Sequence, residues 1–390
     1  MRIAIAGAGI GGLAVARGLH LAGHDVHVYE QAPGLRTDGG SVSIWNNGMG
    51  ILTSLGVDVQ GAGQRIDAIE QRRSTGSLVA RTDVASLGRR FGSFSATMPR
   101  RVLLERLYDA LPEGTVSFGS QVTGVDGQGR LVPAGDGAIA ADVVIGADGA
   151  RSAVRASLLG DAPPYPTGWV TWQGMTPVPI DVTTSHTSQL FVGPEGFCGL
   201  LPCGEGLLQW FFDVRYDVTR PPPADLPAFL RERFGAWAEP VPTVLTGARA
   251  EDLAYFPHFV HDVPPVWGSG RCTLLGDAVH LMPPSVAQGA NQALEDAWVL
   301  SRTLDAGPDP AEQLRQYEQA RRRRAAGTAA MAARSTAQTD GPLQLLGYAP
   351  DRFITWMFGT MLRLSSNYLT GGGPSAPRRG TTGDQSSRVG

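Results

Sequence analysis

A glycine-rich turn near the start of the chain has the residue types and spacing of a phosphate-binding site. Residues 7–12 read Gly-Ala-Gly-Ile-Gly-Gly and separate an apolar, strand-like run from a helix-forming one. In this pattern Gly7 permits the tight turn, Gly9 lets a pyrophosphate approach the backbone, and Gly12 lets helix and strand pack closely. Glu30 closes the next predicted strand, where a carboxylate can accept hydrogen bonds from a ribose diol. The pattern predicts a dinucleotide site without separating FAD from NAD; a glycine turn without a ligand is the alternative.

Two aspartates follow buried apolar runs further along the chain. The dipeptides Asp148-Gly149 and Gly276-Asp277 each end a strand-like run at a glycine turn. Because the carboxyl ends of parallel strands meet at one edge of a sheet, we expect these two turns to converge where α/β folds bind ligands. Each dipeptide taken alone is also typical of a purely structural turn.

The elements that must position these turns follow from hydrophobic periodicity. Strands are predicted over 2–6, 25–30, 116–126, 137–145 and 271–277, and helices over 11–22, 100–111, 289–304 and 310–336. From about 166 to 267 the pattern changes to alternating aromatic and apolar residues punctuated by Pro and Gly, which predicts a mostly antiparallel sheet. The chain is therefore expected to form two lobes.

Composition narrows the classes of function. The chain has 390 residues, 33 of them basic and all of those arginine, so lysine Schiff-base chemistry is excluded. A net charge of −3 gives no electrostatic case for binding nucleic acid or an acidic membrane. The three cysteines lack the partners of a zinc site, and no run approaches the ~20 apolar residues of a membrane span. We expect a cytoplasmic protein with buried free thiols, no signal peptide and no metal.

Three motifs that occur together, in a given order and spacing, indicate a family more specifically than any one of them does. The glycine turn, Asp148-Gly149 and Gly276-Asp277, in this order and spacing, resemble the class A flavoprotein monooxygenases of the para-hydroxybenzoate hydroxylase type, over roughly 1–335. The pattern is most similar to urate hydroxylase-like members, through segments 41–48 and 169–174. The resemblance implies non-covalent FAD, NADH or NADPH and O2 as co-substrates, and transfer of one oxygen atom to a small organic substrate by a C4a-hydroperoxyflavin.

The resemblance also implies which residues bind the cofactor. The glycine turn would hold the pyrophosphate, Glu30 the adenosine ribose, Arg100 the flavin nucleotide and Asp277 the ribityl chain. The full predicted set is Gly7, Gly9, Gly11, Gly12, Glu30, Gln31, Ser43, Arg100, Val122, Asp148, Gly149, Gly276, Asp277, Pro284, Gly289, Ala290 and Asn291. One departure from the family pattern is Ala287, where a glycine is usual.

The implied fold is α/β: a Rossmann-like FAD-binding domain of the GR2 type, with an inserted, mostly antiparallel substrate-binding sheet and a C-terminal helical segment. Expected boundaries are 1–70, 97–165 and 268–340 for the FAD-binding domain, 71–96 and 166–267 for the substrate-binding domain, 341–370 for the helical segment and 371–390 for a disordered tail.

The substrate pocket is predicted to be aromatic and uncharged. No Arg or Lys lies between Arg155 and Arg215, so the predicted pocket strands offer no cation for an acidic purine such as urate. The expected walls are Trp172, Phe191, Phe197, Trp210 and Phe212, although such aromatics are also typical of a sheet core. We therefore expect the substrate to be an apolar aromatic or polycyclic small molecule, and hydroxylation to be the reaction.

No catalytic base is assigned from the sequence. His258, His261 and His280 are each interpreted as structural histidines, and Glu295-Asp296 as a structural or capping pair. Epoxidation or Baeyer–Villiger insertion, and an oxidase or reductase on the same scaffold, remain alternatives. The chain lacks the tryptophan signature of the flavin-dependent halogenases, so that activity is not favoured. A non-catalytic flavoprotein that sequesters a ligand is the least favoured interpretation. The sequence does not indicate an oligomeric state.

Overall fold

A five-stranded parallel sheet carries the three predicted turns. In the computed structural model, residues 1–36, 39–160, 162–177, 185–304, 308–336 and 349–372 are described. All pairings in this sheet are parallel. Its strands, in order across the sheet, are β17 (Cys272–Leu274), β11 (Val143–Gly146), β1 (Arg2–Ala6), β2 (Asp25–Tyr29) and β8 (Val116–Ser117).

Helices pack on this sheet to form the first hydrophobic core. They are α1 (Ile10–Leu21), α2 (Asn46–Ser54), α4 (Arg100–Asp109), α5 (Ala153–Leu159), α8 (Asp277–His280), α9 (Gly289–Thr303) and α10 (Pro310–Thr336). The helices α1 and α9 pack so closely that a Cβ on Gly18 would lie 2.8 Å from the Ser301 side chain.

A seven-stranded sheet builds the second lobe. Its pairings are antiparallel except for one parallel pair, between the fifth and sixth strands of the order. The strands in order are β16 (Ala254–Val260), β12 (Tyr165–Pro177), β15 (Leu207–Arg215), β14 (Gly196–Gly204), β13 (Thr187–Gly193), β5 (Ala68–Arg73) and β6 (Leu78–Asp83). The helices α6 (Leu226–Phe234) and α7 (Val241–Gly247) cover one face of this sheet and complete a separate core.

Smaller elements join the two lobes. A three-stranded antiparallel sheet has the order β3 (Ser41–Ile44), β7 (Ser95–Pro99) and β4 (Gln64–Ile66), and a hairpin pairs β9 (Val122–Val125) with β10 (Leu131–Pro133). The helix α3 (Val84–Phe91) packs against the C-terminal helix α11 (Asp351–Ser365), and Leu87 and Leu362 belong to the cluster between them.

The α/β fold with an antiparallel second sheet confirms the predicted fold class, and local details differ. The single strand predicted over 116–126 is two strands, because Gly119 turns the chain with a φ of +67°. The strand predicted over 137–145 begins only at Val143. Residues 68–70, assigned to the first domain, begin β5 of the large sheet. The predicted tail lies outside the described residues from 373 onward, as do residues 341–348 of the helical segment.

Within the described ranges, no helix combines the length and the apolarity that a bilayer crossing requires.

Candidate active site

The glycine turn forms a cradle that only glycine can build. Gly7 has a φ of +99°, and a Cβ there would lie 2.5 Å from the Ala147 carbonyl oxygen. A Cβ on Gly12 would overlap the Gly7 carbonyl oxygen. A Cβ on Gly9 would meet no atom within 4 Å, so space is open above it at the start of α1. The turn thus packs tightly against the Ala147 backbone at Gly7 and leaves room for an anionic group above Gly9.

The three predicted turns meet at one edge of the parallel sheet, as expected. They follow β1, β11 and β17, which are arranged side by side with β11 between the other two. The Leu275 amide donates to the Gly146 carbonyl at 3.0 Å, and a Cβ on Gly11 would lie 2.7 Å from the Leu275 side chain.

Glu30 stands at the end of β2 beside the glycine turn. Its carboxylate is nearly buried and accepts hydrogen bonds from the Ala8 amide at 2.8 Å and the Ala32 amide at 2.9 Å. The two bonds orient the carboxylate toward the cradle and leave lone pairs available for a ribose diol. The neighbouring Gln31 is exposed.

Arg100 and Asp277 carry opposite charges in the region bordered by the glycine turn, the start of α4 and the turn after β17. This region is called the cleft below. Burial lowers the pKa of Arg100, and Asp277 opposes that fall. Solvent reaches the Asp277 side chain, yet the surrounding protein raises the pKa of this carboxyl, with His280, Arg100 and His261 opposing the rise. The Arg100 amide donates to the Gly40 carbonyl at 3.0 Å, which ties the loop before β3 to the start of α4.

Asp148 is engaged with its own turn. It accepts hydrogen bonds from the Ser152 hydroxyl at 2.5 Å and the Val154 amide at 3.2 Å, and burial raises its pKa. Gly149 follows with a φ of +82°, which favours glycine. The structure therefore gives Asp148 a capping role before α5, while its backbone lies next to Gly7. Val122 is half-buried at the start of β9, away from these contacts.

The segment 284–291 joins the loop before α9 to β3. Asn291 is fully buried; its Oδ1 accepts from the Trp45 amide at 2.9 Å and its Nδ2 donates to the Ser43 carbonyl at 3.0 Å. The Ser43 hydroxyl lies 3.0 Å from that of Thr97. Asn291 thus holds backbone in place, whereas the amides at 289–291 lie in the first turn of α9, where a helix supplies no intrahelical acceptor and a ligand can. Pro284 is exposed beside this turn.

Ala287 occupies a left-handed conformation, with a φ of +48°. Glycine adopts this region freely and a side chain with a Cβ does not. The departure from the family pattern is therefore a locally strained residue.

Glu295 and Asp296 are anchors for the chain around the cleft, which agrees with their structural interpretation. Asp296 accepts from the Gly276 amide at 2.9 Å, from His280 Nε2 at 2.6 Å and from Arg321 Nε at 2.7 Å. Glu295 accepts from the backbone amides at 367 and 368, at 2.9 and 3.1 Å. Asp296 therefore clamps the turn that presents Asp277, and Glu295 docks the C-terminal segment.

The structure corrects four of the five predicted pocket aromatics. These four side chains are fully buried in the second core, on the sheet face that α6 and α7 cover: Trp172, Phe191, Trp210 and Phe212. Only Phe197 lies on the other face, half-buried, with its ring 6.1 Å from that of Trp169. Alternation along the strands separates the two sets, and the helices lying beyond residue 225 decide which face becomes core.

The face opposite that core is called the polar face below, after Thr171, Gln173, Gln209 and Asp213, although it also carries Trp169, Phe197 and Phe211. It lies against the loop before β3, and sequence reasoning missed its polar residues. Gln209 is buried; its Oε1 accepts from the Ser41 amide at 2.7 Å and its Nε2 donates to Gln173 Oε1 at 3.0 Å. A Cβ on Gly40 would overlap the Gln209 amide. The signal in the sequence was the alternation of Gln209, Phe211 and Asp213 with the core aromatics of β15.

A glycine cradle on a parallel sheet, with a second, mostly antiparallel sheet beside it, is typical of a dinucleotide-binding oxidoreductase. The chain belongs to the FAD binding domain family, which it matches over residues 1–332, and it is a class A FAD monooxygenase.

Two curated relatives and one solved structure show the likeness. The chain is 32% identical over 374 residues to the aurachin C monooxygenase/isomerase of Stigmatella aurantiaca, covering 94% of this chain and 95% of that protein. It is 35% identical over 334 residues to the 3-amino-4-hydroxybenzoate 2-monooxygenase of Streptomyces cremeus, covering 82% and 83%. HpxO of Klebsiella pneumoniae, complexed with FAD and uric acid, superposes with a TM-score of 0.87 at 27% identity, covering 93% and 97%.

The cleft fits FAD. Open space above Gly9, a carboxylate at Glu30 that can accept from a ribose, and the opposite charges of Arg100 and Asp277 match a flavin dinucleotide in chemistry. Bound FAD would supply the redox chemistry between a reduced nicotinamide and O2, and the residues named above would bind it, orient it and exclude water.

Proposed function

We propose that this monooxygenase hydroxylates an uncharged aromatic or polycyclic molecule that lies against the polar face of the seven-stranded sheet. The observation that carries the proposal is the charge of this face. Along β12, β14 and β15, its described residues include one cation, Arg215, and that guanidinium lies over the Trp169 ring at 5.1 Å. Gln173 and Gln209 offer neutral amides next to the loop before β3.

Desolvation explains why such a face selects neutral molecules. A carboxylate moved from water onto this face loses its hydration, and the one guanidinium among the described residues of these strands, that of Arg215, already lies over the Trp169 ring. A neutral ring with hydroxyl or amino groups loses much less and can hydrogen-bond to amides. The named activities of the relatives, on aurachin C and on 3-amino-4-hydroxybenzoate, support an aromatic substrate class.

For the cofactor, we place the pyrophosphate above Gly9 and the adenosine ribose at Glu30, near Gln31 and Val122. The flavin half would run past Arg100 and Asp277 toward the first turn of α9. The residues proposed to border its ring are Ser43, Pro284, Gly289, Ala290 and Asn291, with Asp148-Gly149 and Gly276 shaping the turns behind it. We also place the protein in the cytoplasm, because its three cysteines are free and buried.

A matched pair of compounds tests the substrate class. FAD-loaded enzyme is offered 2-aminophenol and 3-amino-4-hydroxybenzoate, which differ by one carboxylate, with 1-naphthol as a bicyclic neutral compound. We expect a neutral compound to drive NADH or NADPH consumption and to gain one atom from 18O2. Its kcat/KM should exceed that of the acid by at least about tenfold, because the carboxylate is desolvated without a partner.

The variant Phe197→Arg provides the matched control. It places a cation on the same face, at a half-buried position, and is expected to move the preference toward the acid. A wild-type preference for the acid would contradict the uncharged-substrate proposal. Consumption of nicotinamide that yields only hydrogen peroxide with every aromatic compound would favour an oxidase.

A further inference from the structure

The C-terminal helix α11 carries an exposed apolar stripe. Four large apolar side chains on it are each at least 39% exposed: Phe353, Trp356, Met357 and Leu364. The last three follow the first by three, four and eleven residues, spacings that place all of them on one face of a helix. The Phe353 and Trp356 rings are stacked, with their centroids 5.6 Å apart. Together the four expose roughly 400 Å², the size at which an apolar patch often marks an interaction site.

The opposite face of α11 is packed on the protein. Leu362 is fully buried, and the Phe358 ring lies edge-on to that of Trp45, with centroids 5.2 Å apart. A Cβ on Gly359 would lie 2.8 Å from the Leu87 side chain, so α11 and α3 are in close contact. This inner face supplies the packing that holds the helix.

Hydrogen bonds fix both ends of α11. The Arg324 guanidinium donates to the carbonyls of Arg363 and Leu364, at 3.1 and 2.7 Å. At the other end, the Asp83 amide donates to the Thr355 hydroxyl at 2.9 Å. The exposed stripe is therefore not needed to keep the helix in place, and its apolar character requires another explanation.

Two arginines lie along one edge of the stripe. Arg352 and Arg363 are exposed, and their separation of eleven residues, about three turns, places them on the same side of the helix. Asp351 precedes Phe353 by two residues and so lies on the opposite side, where its carboxylate accepts from the Arg81 amide at 3.0 Å. The charges that border the stripe itself are therefore positive.

The groove beside Trp356 contains charges of both signs. Its arginines are Arg81, Arg90 and Arg352, and its carboxylates are those of Asp67, Asp83 and Asp351. The Asp67 carboxylate accepts from Arg65 at 2.6 Å, and that of Asp83 caps α3 by accepting from the Ser86 amide at 2.8 Å. These carboxylates are thus bonded within the protein, on the groove side of α11.

Aromatic rings edged by guanidinium groups suit the interfacial region of a lipid bilayer. Phe, Trp and Leu side chains bury their apolar parts at the boundary between headgroups and acyl chains. Arginines beside them can reach anionic phosphate groups while their stems stay on the apolar surface. The net charge of −3 does not oppose such binding, because charges more than about 10 Å away are largely screened at ordinary ionic strength.

A second copy of the helix suits the stripe less well. In an antiparallel pair about a two-fold axis, each residue near one end of α11 lies opposite a residue near the other end of its copy. Arg352 of one copy would then approach Arg363 of the other, on the same side of the pair. Like charges would meet along the edge of the apolar contact, whereas an anionic surface neutralises both of them.

We propose that the exposed face of α11 binds the surface of a lipid bilayer that carries anionic headgroups. The helix lies along this surface: Phe353, Trp356 and Leu364 enter the headgroup region, and the two edge arginines contact lipid phosphates. With 15 residues, α11 is shorter than the ~20 residues that a crossing requires, so the binding is peripheral.

Co-sedimentation with vesicles tests this surface. The FAD-loaded full chain is mixed with vesicles of phosphatidylcholine alone or with about 30% phosphatidylglycerol, and flavin absorbance in the pellet measures the bound protein. We expect the dissociation constant to be lower for the anionic vesicles by roughly tenfold or more, because each edge arginine adds to the attraction. This preference should weaken at about 0.5 M salt, where the charges are screened.

Two double variants assign the binding to α11. Phe353→Ser/Trp356→Ser removes the aromatic part of the stripe, and Arg352→Gln/Arg363→Gln removes the charges at its edge. Each should lose affinity for the anionic vesicles by roughly tenfold or more. The arginine variant should also lose its salt dependence. An unchanged flavin spectrum and melting temperature show that each variant is folded.

Matched controls come from the second lobe. Phe256→Ser changes an aromatic side chain that is 40% exposed, and Arg249→Gln removes an exposed arginine. Both should bind the anionic vesicles as the wild type does.

Equal binding by the wild type and both α11 variants would overturn the proposal, as would a wild type that binds neither vesicle or binds both equally. A concentration-dependent dimer in sedimentation velocity, absent from Phe353→Ser/Trp356→Ser, would also overturn it, because a second copy would then occupy the stripe.

Discussion

The glycine cradle and the polar face of the seven-stranded sheet border the same cleft and obey different physical rules. In the cradle, backbone atoms sit so close that Gly7 and Gly12 admit no side chain, and a buried ion cluster around Asp296 locks the adjoining turn. On the sheet face, side chains from separate strands meet, and one of them, Asp213, is a carboxyl whose pKa is raised by burial to about 7. The comparison suggests that the cradle is built for stability, and that the sheet face gives up stability to keep this carboxyl buried.

The largest effect is expected on the cradle side, for Asp296→Asn. Its carboxylate is fully buried and is paired with Arg321 and His280, so the variant removes the anion that is in direct contact with a buried guanidinium. We expect a loss of about 3–5 kcal/mol in the free energy of unfolding, measured by chemical denaturation at pH 7. The exposed Asp58→Asn serves as the control and should change stability by less than about 0.5 kcal/mol.

The same carboxyl gives a pH signature. Burial raises the pKa of Asp296, but His280 and Arg321 outweigh it and hold the pKa below its ordinary value. A carboxyl of this kind stabilises the fold above its unfolded pKa, and that contribution disappears as the pH falls. Wild-type stability should therefore fall below about pH 4, and that of the variant should fall less. Equal acid limbs would show that the ion cluster does not set the stability of the cradle.

Gly12→Ala and Gly9→Ala test the two sides of the cradle against each other. A Cβ at Gly12 overlaps the Gly7 carbonyl, so we expect the apoprotein to lose about 3 kcal/mol. A Cβ at Gly9 meets open space, so the apoprotein should keep its stability and lose FAD affinity instead. Thermal unfolding of the apoprotein and fluorescence titration with FAD separate the two. Equal melting losses would mean that Gly9 is structural as well.

Asp213→Asn should raise stability, the opposite sign from the cradle variants. Burial raises the pKa of Asp213 to about 7, above its unfolded value. Such a group is neutral and tolerated at low pH, and costs stability as the pH rises toward the folded pKa. We expect a gain of about 2 kcal/mol at pH 8 and little change at pH 4, measured by denaturation at both values. A destabilised variant at pH 8 would remove the contrast between the two regions.

The smallest effect is expected at Ala287→Gly. Ala287 has a φ of +48°, and glycine relieves the strain of its Cβ. The free energy of unfolding should rise by about 1 kcal/mol. Ala290→Gly in α9, where the backbone is helical, should lower it by a similar amount and serves as the control. A loss at both positions would show that the Ala287 methyl group packs usefully.

Much of the cradle could be predicted because its signals are local. The glycine spacing, Glu30 and the two aspartate turns lie within short segments whose geometry follows from strand–turn–helix rules, and the structure brings them to one sheet edge. The strand predicted over 116–126 failed for an equally local reason, the positive φ of Gly119.

The sheet face could not be predicted from the chain in this way. The aromatic residues of β15 alternate with Gln209 and Asp213, so the pattern shows that the strand has two faces without saying which one is covered. That choice depends on α6 and α7 and on strand register, and it turned Trp172 and Trp210 from expected pocket walls into core. The contacts of His258 could not be predicted for the same reason, since its neighbours Thr171 and Asp213 are 87 and 45 residues away along the chain.

By itself the sequence determined that this chain makes a dinucleotide cradle, where it lies along the chain, and which family it resembles, because those features depend on backbone freedom within a few residues. Only the tertiary structure decided which sheet face becomes core, which carboxylates are paired, and that Thr171, Asp213 and His258 meet. Those outcomes depend on side chains from separate strands and on the water that packing removes around them, and neither is encoded in local spacing.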